Sequence, residues 1–133
     1  MEDLGDMAEL RLLAVLATNR RDGTVLLSPV WHEWREGGFG VITSSHDVKA
    51  AHLRRDPRAS IVVCEHSPPY RGIEVRCHAR FVTAGVGEAV QRIAARYLGP
   101  EAGAAYADRA DDDLLIRLEP GDLRAWDFAG EHS

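Results

Sequence analysis

The sequence predicts a mainly β domain: a small antiparallel barrel of six strands with peripheral helices. Three observations predict it. Short apolar runs are punctuated by turn signals such as Asp22-Gly23 and Glu36-Gly37-Gly38. One run alternates throughout, with Ile73, Val75, Cys77, Ala79 and Phe81 apolar and Glu74, Arg76, His78 and Arg80 polar, as in a strand buried on one face. Helical segments fall mainly between the later strands. At 133 residues the chain (1–133) is one domain, long enough to bury a core without disulfides or a structural metal.

The elements follow in order. Met7 to Leu13 reads as a short opening helix, and Ala14 to Arg20 as a strand ended by Asp22-Gly23. Thr24 to Arg35 reads as a second strand, whose internal Pro29 marks an edge or a bulge. Phe39–Thr43 closes a three-strand meander. Ser44-Ser45-His46-Asp47 starts a helix, with a serine cap and an acidic residue three positions on, and Pro57 ends it near Asp56. Ala59–Glu65 is a β-branched strand, and Ser67 to Gly72 is a turn-rich loop before the alternating strand. Gly87–Leu98 and Glu101–Arg109 are helices divided by Gly99-Pro100. The last strand covers Leu114–Leu118 and resumes after Pro120-Gly121 through Leu123–Trp126.

Composition narrows the function. The net charge of −5 argues against a nucleic-acid partner bound through a broad basic field. No run approaches the roughly 20 apolar residues that cross a bilayer, and acidic residues rather than basic ones lead the N-terminus. Cys64 and Cys77 form no C-x-x-C and read as reduced thiols of a cytoplasmic protein. The six histidines show no metal-ligand spacing, so no metal is expected. Fifteen of the sixteen cations are arginine, a bias that a GC-rich genome explains. Lys49 is the single lysine.

Lys49 falls in the first turn of the first long helix, where backbone N–H groups and the helix dipole favour an anion. Thr43, Ser44 and Ser45 add hydroxyls before it, and Arg54, Arg55 and Arg58 extend the positive region beyond it. The arrangement fits a phosphate, or a capped helix with a solvated lysine. Thr24 to Trp34 is apolar on both faces, with Val25, Leu27 and Trp31 on one and Leu26, Val30 and Trp34 on the other. One face suits the core; the other needs a cover from the protein's own helices, a flat ligand or a second subunit. Gly85-Val86-Gly87 lacks the third glycine of a dinucleotide fingerprint, and Ser28 has no nucleophile context. A cleft without an evident acid, base or nucleophile points to chemistry brought by a cofactor.

Leu16-Ala17-Thr18 with Asp22-Gly23-Thr24, Ser28-Pro29-Val30-Trp31, and Val48-Lys49 before Leu53-Arg54-Arg55-Asp56-Pro57-Arg58 resemble the flavin/deazaflavin oxidoreductase superfamily, whose members have the pyridoxamine 5'-phosphate oxidase-like split β-barrel. Pro68-Pro69-Tyr70-Arg71-Gly72 and Arg124-Ala125-Trp126 resemble the branch that uses the deazaflavin F420. The resemblance implies a homodimer with cofactor at the subunit interface, acting on a small-molecule substrate. Ser28, Pro29 and Val30 would line the ring, and Thr43, Ser44 and Lys49 would hold the phosphate. Tyr70, Arg71 and Gly72 would come from the neighbouring subunit, with Trp126 closing the site. F420 is the expected cofactor and FMN the alternative; a non-catalytic flavin, F420 or haem carrier is the reading from another class. His32 and Tyr70 are candidate proton donors, or packing residues. The basic stretch Arg54, Arg55 and Arg58 suits F420's anionic oligoglutamate tail. Two departures stand out: Asp47 lies where some relatives place a second cation, and His52 replaces a frequent asparagine.

Overall fold

The computed structural model describes residues 6–127. Among them the chain forms β1 (Ala14–Asn19), β2 (Val25–Val30), β3 (His32–Arg35), β4 (Gly38–Ser44), α1 (Val48–Arg55), β5 (Arg58–Cys64), β6 (Gly72–Val82), α2 (Val86–Leu98), α3 (Pro100–Asp108) and β7 (Asp113–Trp126). All seven strands join one antiparallel sheet in the order β2-β1-β5-β6-β7-β4-β3. The two edge strands, β2 and β3, are separated in sequence by Trp31 alone. One residue advances the chain by about 3.5 Å, so the sheet must curl until its edges nearly meet. That is a barrel with one unpaired seam: the split barrel.

The expected second strand is therefore two strands, giving seven rather than six. Nor do the first strands form a meander: β1–β2 and β3–β4 are hairpins at opposite edges of the sheet. The break has a tertiary cause. Trp31 leaves the sheet to stack on Tyr97 of α2, with ring centroids 5.4 Å apart and 8° between planes, and to meet Tyr106 of α3 at 5.3 Å. Pro29 lies on an edge strand, where its missing N–H breaks no ladder.

The barrel interior follows the period-2 pattern. Leu16, Ile61, Val63, Ile73, Val75, Ile116 and Leu118 are fully buried around Phe39. Removing the Phe39 ring to alanine would cost about 3–5 kcal/mol, as cavities of that size do. β4 is buried on both faces because its outward Ile42 packs with Leu115 under Ala89, Val90 and Ile93 of α2. Gly103 of α3 lets the second helix close on α2, since a Cβ there would lie 2.6 Å from the Ala95 Cα. Opposite Pro120-Gly121 the β6–β7 register shifts between Val75 and Cys77, and β7 stays one bent strand.

Among the described residues the opening helix covers 6–8, so it stops well before the expected Leu13. Side chains of α2 take the carbonyls that would extend it: Arg96 donates to the oxygens of Glu9 and Leu10, and the Tyr97 hydroxyl to Leu12. α1 is pinned to β1 by a buried Thr18 Oγ1–His52 Nδ1 hydrogen bond of 3.0 Å, by Asn19 to Asp56 at 3.2 Å, and by Arg55 on the Asn19 carbonyl. This accounts for His52 as an anchor of α1.

Candidate cofactor-binding site

A cleft of about 330 Å³ opens where the end of β2, the end of β4 and the start of α1 converge. Leu13, Pro29, Val30, Trp31 and Ile42 make its apolar wall, with Tyr106 beside them; Thr43, Ser44, Asp47 and Lys49 make its polar end. The elements dictate this partition. Residue alternation in β4 sends Ile42 outward under the helices, while the strand end delivers Thr43 and Ser44 to the cleft.

The polar end contains a hydroxyl with nothing to bond. Thr43 is 6% exposed, and its buried Oγ1 has no hydrogen-bond partner among the described residues. An orphaned buried hydroxyl costs about 1–3 kcal/mol, so the position is one that a polar ligand would relieve. Ser44 Oγ accepts from the His46 N–H at 3.2 Å, which leaves its own O–H to donate. The Lys49 side chain is 12% exposed and its Nζ donates to Asp47 Oδ2 at 2.7 Å.

The helix start differs from the serine cap expected. Ser44 remains in β4, paired with Asp113, and the Ser45 N–H donates to the Asp112 carbonyl. Asp47 is the cap, its Oδ1 accepting from the Lys49 N–H at 3.1 Å. Hydrogen bonding from the Lys49 ammonium holds the Asp47 carboxyl below the usual carboxylate range. Lys49 thus stands at the cleft with a carboxylate already on it.

The other expected residues divide. Arg71, Gly72 and Trp126 share a separate cleft of about 260 Å³. Gly72 pairs with Trp126 across β6–β7, and a Cβ at Gly72 would lie 2.3 Å from the indole. Arg71 makes a two-pronged pair with Glu65 at 2.8 and 3.2 Å, and Tyr70 is exposed in the preceding loop with φ 58°. Ser28 is half-buried in β2 opposite Leu16 and lines neither cleft.

His32 is fully buried and does not line the cleft. Its Nε2 lies 2.9 Å from the Ala8 carbonyl and its Nδ1 3.0 Å from the Tyr97 hydroxyl. Burial lowers its pKa to about 4. Of its two candidate roles the packing one fits: the ring is neutral at pH 7 and enclosed. Tyr106 was not marked by any motif, and Trp31, the end of Ser28-Pro29-Val30-Trp31, was not assigned to the site. Both are set by how α2 and α3 pack over the barrel.

The model of the family described as Pyridoxamine 5'-phosphate oxidase matches residues 5–127. No curated protein matches the chain. Among solved structures, a conserved hypothetical protein from Mycobacterium tuberculosis is 26% identical, with 96% of this chain and 84% of that one covered and a TM-score of 0.81. An F420 reductase is 24% identical, with 90% and 94% covered and a TM-score of 0.74. The heme storage protein HutZ from Vibrio cholerae is 21% identical, with 98% and 97% covered and a TM-score of 0.74. The last two share the fold while their names describe different tasks. The seam left open at Trp31, the strand order and the match across residues 5–127 agree, and the chain belongs to the pyridoxamine 5'-phosphate oxidase family.

Proposed function

We propose that the protein is an F420-dependent oxidoreductase that works in the cytoplasm as a homodimer on a small conjugated or heteroaromatic acceptor. The observation that carries this reading is the Thr43–Lys49 cleft, where an unpartnered hydroxyl and an ammonium adjoin an apolar wall. The residues fit a phosphorylated, flat-ringed cofactor. Lys49, Thr43 and Ser44 supply the phosphate donors, and Pro29 and Val30 the ring contact. Bound reduced F420 supplies a hydride from its C5. The chain's part is to hold the ring against β2, fix the phosphate at α1 and exclude water with the Trp31 wall.

The sheet's outer face supports the dimer. Leu27 is 66% exposed, and Val15, Val25 and Pro29 are exposed beside it, in register across β1 and β2. Such an apolar face is suited to burial against a second copy. Arg71, Gly72 and Trp126 lie in another cleft of the same chain, so they suit completion of the partner's site. Arg20, Arg21, Arg55 and Arg58 line a cleft of about 450 Å³ near the far end of α1, where Asp56 pairs with Arg58 at 2.9 Å; the excess of arginine suits an oligoglutamate tail.

A carrier of flavin, F420 or haem without catalysis is the second reading. Asp47, Lys49 and Tyr106 are the ionisable groups lining the cleft, and Asp47 and Lys49 are already paired with each other at 2.7 Å. Tyr106 donates to Asp113 at 3.0 Å, and burial raises its pKa.

Fluorescence titration with F420 and with FMN tests the proposal. F420 is expected to bind more tightly. Tight FMN binding without F420 binding would overturn the cofactor assignment in favour of an FMN-dependent enzyme. F420 binding with no reduction across a panel of enones and heteroaromatics would favour the carrier.

A further inference from the structure

The cleft contains an anion of its own. Asp47 uses one carboxylate oxygen on the Lys49 backbone N–H at 3.1 Å and the other on the Lys49 ammonium at 2.7 Å. Those are the two charge-seeking donors that a phosphate at the α1 start would take. Asp47 lines the same cleft as the orphaned Thr43 hydroxyl, and its side chain is 35% exposed. The nearby charges do not alter the balance. His46 lies 3.9 Å from Asp112 and both are exposed, while Asp113 accepts from Tyr106. Among the described residues of this chain, the cleft's one lining cation is already matched by one carboxylate.

A ligand phosphate therefore enters a neutralised subsite rather than a cationic one, and the number of charges it carries matters. A phosphodiester, such as the linkage in F420, carries one negative charge. A phosphomonoester, such as the terminus of FMN, has a second pKa near 6 and carries almost two at pH 7.5. Each ligand charge is repelled by the Asp47 carboxylate a few ångströms away, in a setting between surface protein and water. The second charge adds repulsion beside Asp47 that this chain's one cleft lysine does not offset.

We infer that Asp47 is a specificity-determining residue, whose carboxylate makes the cleft prefer singly charged phosphodiesters over doubly charged phosphomonoesters. It selects F420-type over FMN-type ligands by charge at the phosphate, not by shape at the ring. The inference rests on the cofactor reading above and goes beyond it, because that reading needs Lys49 and Thr43 but assigns Asp47 nothing.

The test is Asp47→Asn, titrated with F420, FMN and riboflavin at pH 7.5 by fluorescence quenching. Asn keeps a side-chain oxygen for the helix cap. FMN affinity is expected to rise roughly tenfold and F420 affinity about threefold or less, while riboflavin, which has no phosphate, stays unchanged. Asp47→Ser, a second capping residue without charge, should repeat the pattern if the Asn variant is unstable. Equal gains for FMN and F420, no gain for FMN, or a matching gain for riboflavin would overturn the inference. If F420 binding requires Lys49 yet the FMN-to-F420 ratio is unmoved by Asp47→Asn, the cofactor reading stands and this inference falls. If neither phosphate ligand binds to the wild type or to the variant, both fall.

Discussion

Two polar clusters lie in this small barrel, and they differ in whether the chain satisfies them. Around His32 every group closes on the protein: Ala8 and Tyr97 take the ring, and Arg96 donates to the His32 carbonyl at 3.0 Å. At the start of α1 the polar groups stay open: among the described residues the Thr43 hydroxyl has no partner, and Lys49 pairs with its neighbour Asp47. Both clusters hold residues that a sequence reading nominates for chemistry. The first belongs to the architecture, tying the N-terminal segment to β3 and α2. The second is arranged for something the chain does not supply.

The largest expected effect lies in the closed cluster. His32 is neutral in the folded protein because burial lowers its pKa to about 4, whereas it titrates near 6.5 once unfolded. The unfolded state therefore binds the extra proton. Stability from this group is complete above about pH 6.5 and declines as pH falls toward 4, by up to about 3 kcal/mol. Urea denaturation across that range should show the slope, and His32→Gln should flatten it. An unchanged slope in the variant would show that His32 is not the proton-linked group.

Lys49→Ala comes next. F420 affinity should fall at least about tenfold, the scale of a lost charge-assisted phosphate contact, while the melting temperature of the ligand-free protein moves little because the Asp47 cap remains. Unchanged binding would erase the distinction between the clusters. Thr43→Val is smaller and more pointed. It removes an unsatisfied hydroxyl without losing volume, so the ligand-free protein should gain up to about 1 kcal/mol while F420 binding weakens several-fold. Opposite signs from one substitution mark a group kept for a ligand; a loss of stability would mark Thr43 as structural.

The same contrast explains what could be read in advance. Because both signals are local, the alternation from Ile73 to Phe81 announced β6, and Pro29 announced an edge or a bulge, of which the edge is what forms. The break at Trp31 was not local: the stretch from Val25 to Trp34 has apolar residues on both faces and no turn residue at Trp31 itself, and the packing of Tyr97 and Tyr106 decides it. At the α1 start the serine cap was expected, with Asp47 as the acidic residue three positions on, and Asp47 became the cap instead. Pairing of Ser44 with Asp113 settled the choice by keeping Ser44 in the sheet. The phosphate donors Thr43, Ser44 and Lys49 were legible as types at suitable spacing. That Thr43 would lack a partner, and that Asp47 would already hold Lys49, depended on side-chain geometry no spacing encodes.

A crystal structure of the protein with F420 decides whether the Thr43–Lys49 cleft is the phosphate site. Phosphate oxygens are expected within hydrogen-bond distance of Lys49 Nζ and Thr43 Oγ1, with the ring against Pro29 and Val30. A phosphate seated instead among Arg20, Arg21, Arg55 and Arg58, with the Thr43 hydroxyl still unpartnered, would contradict it.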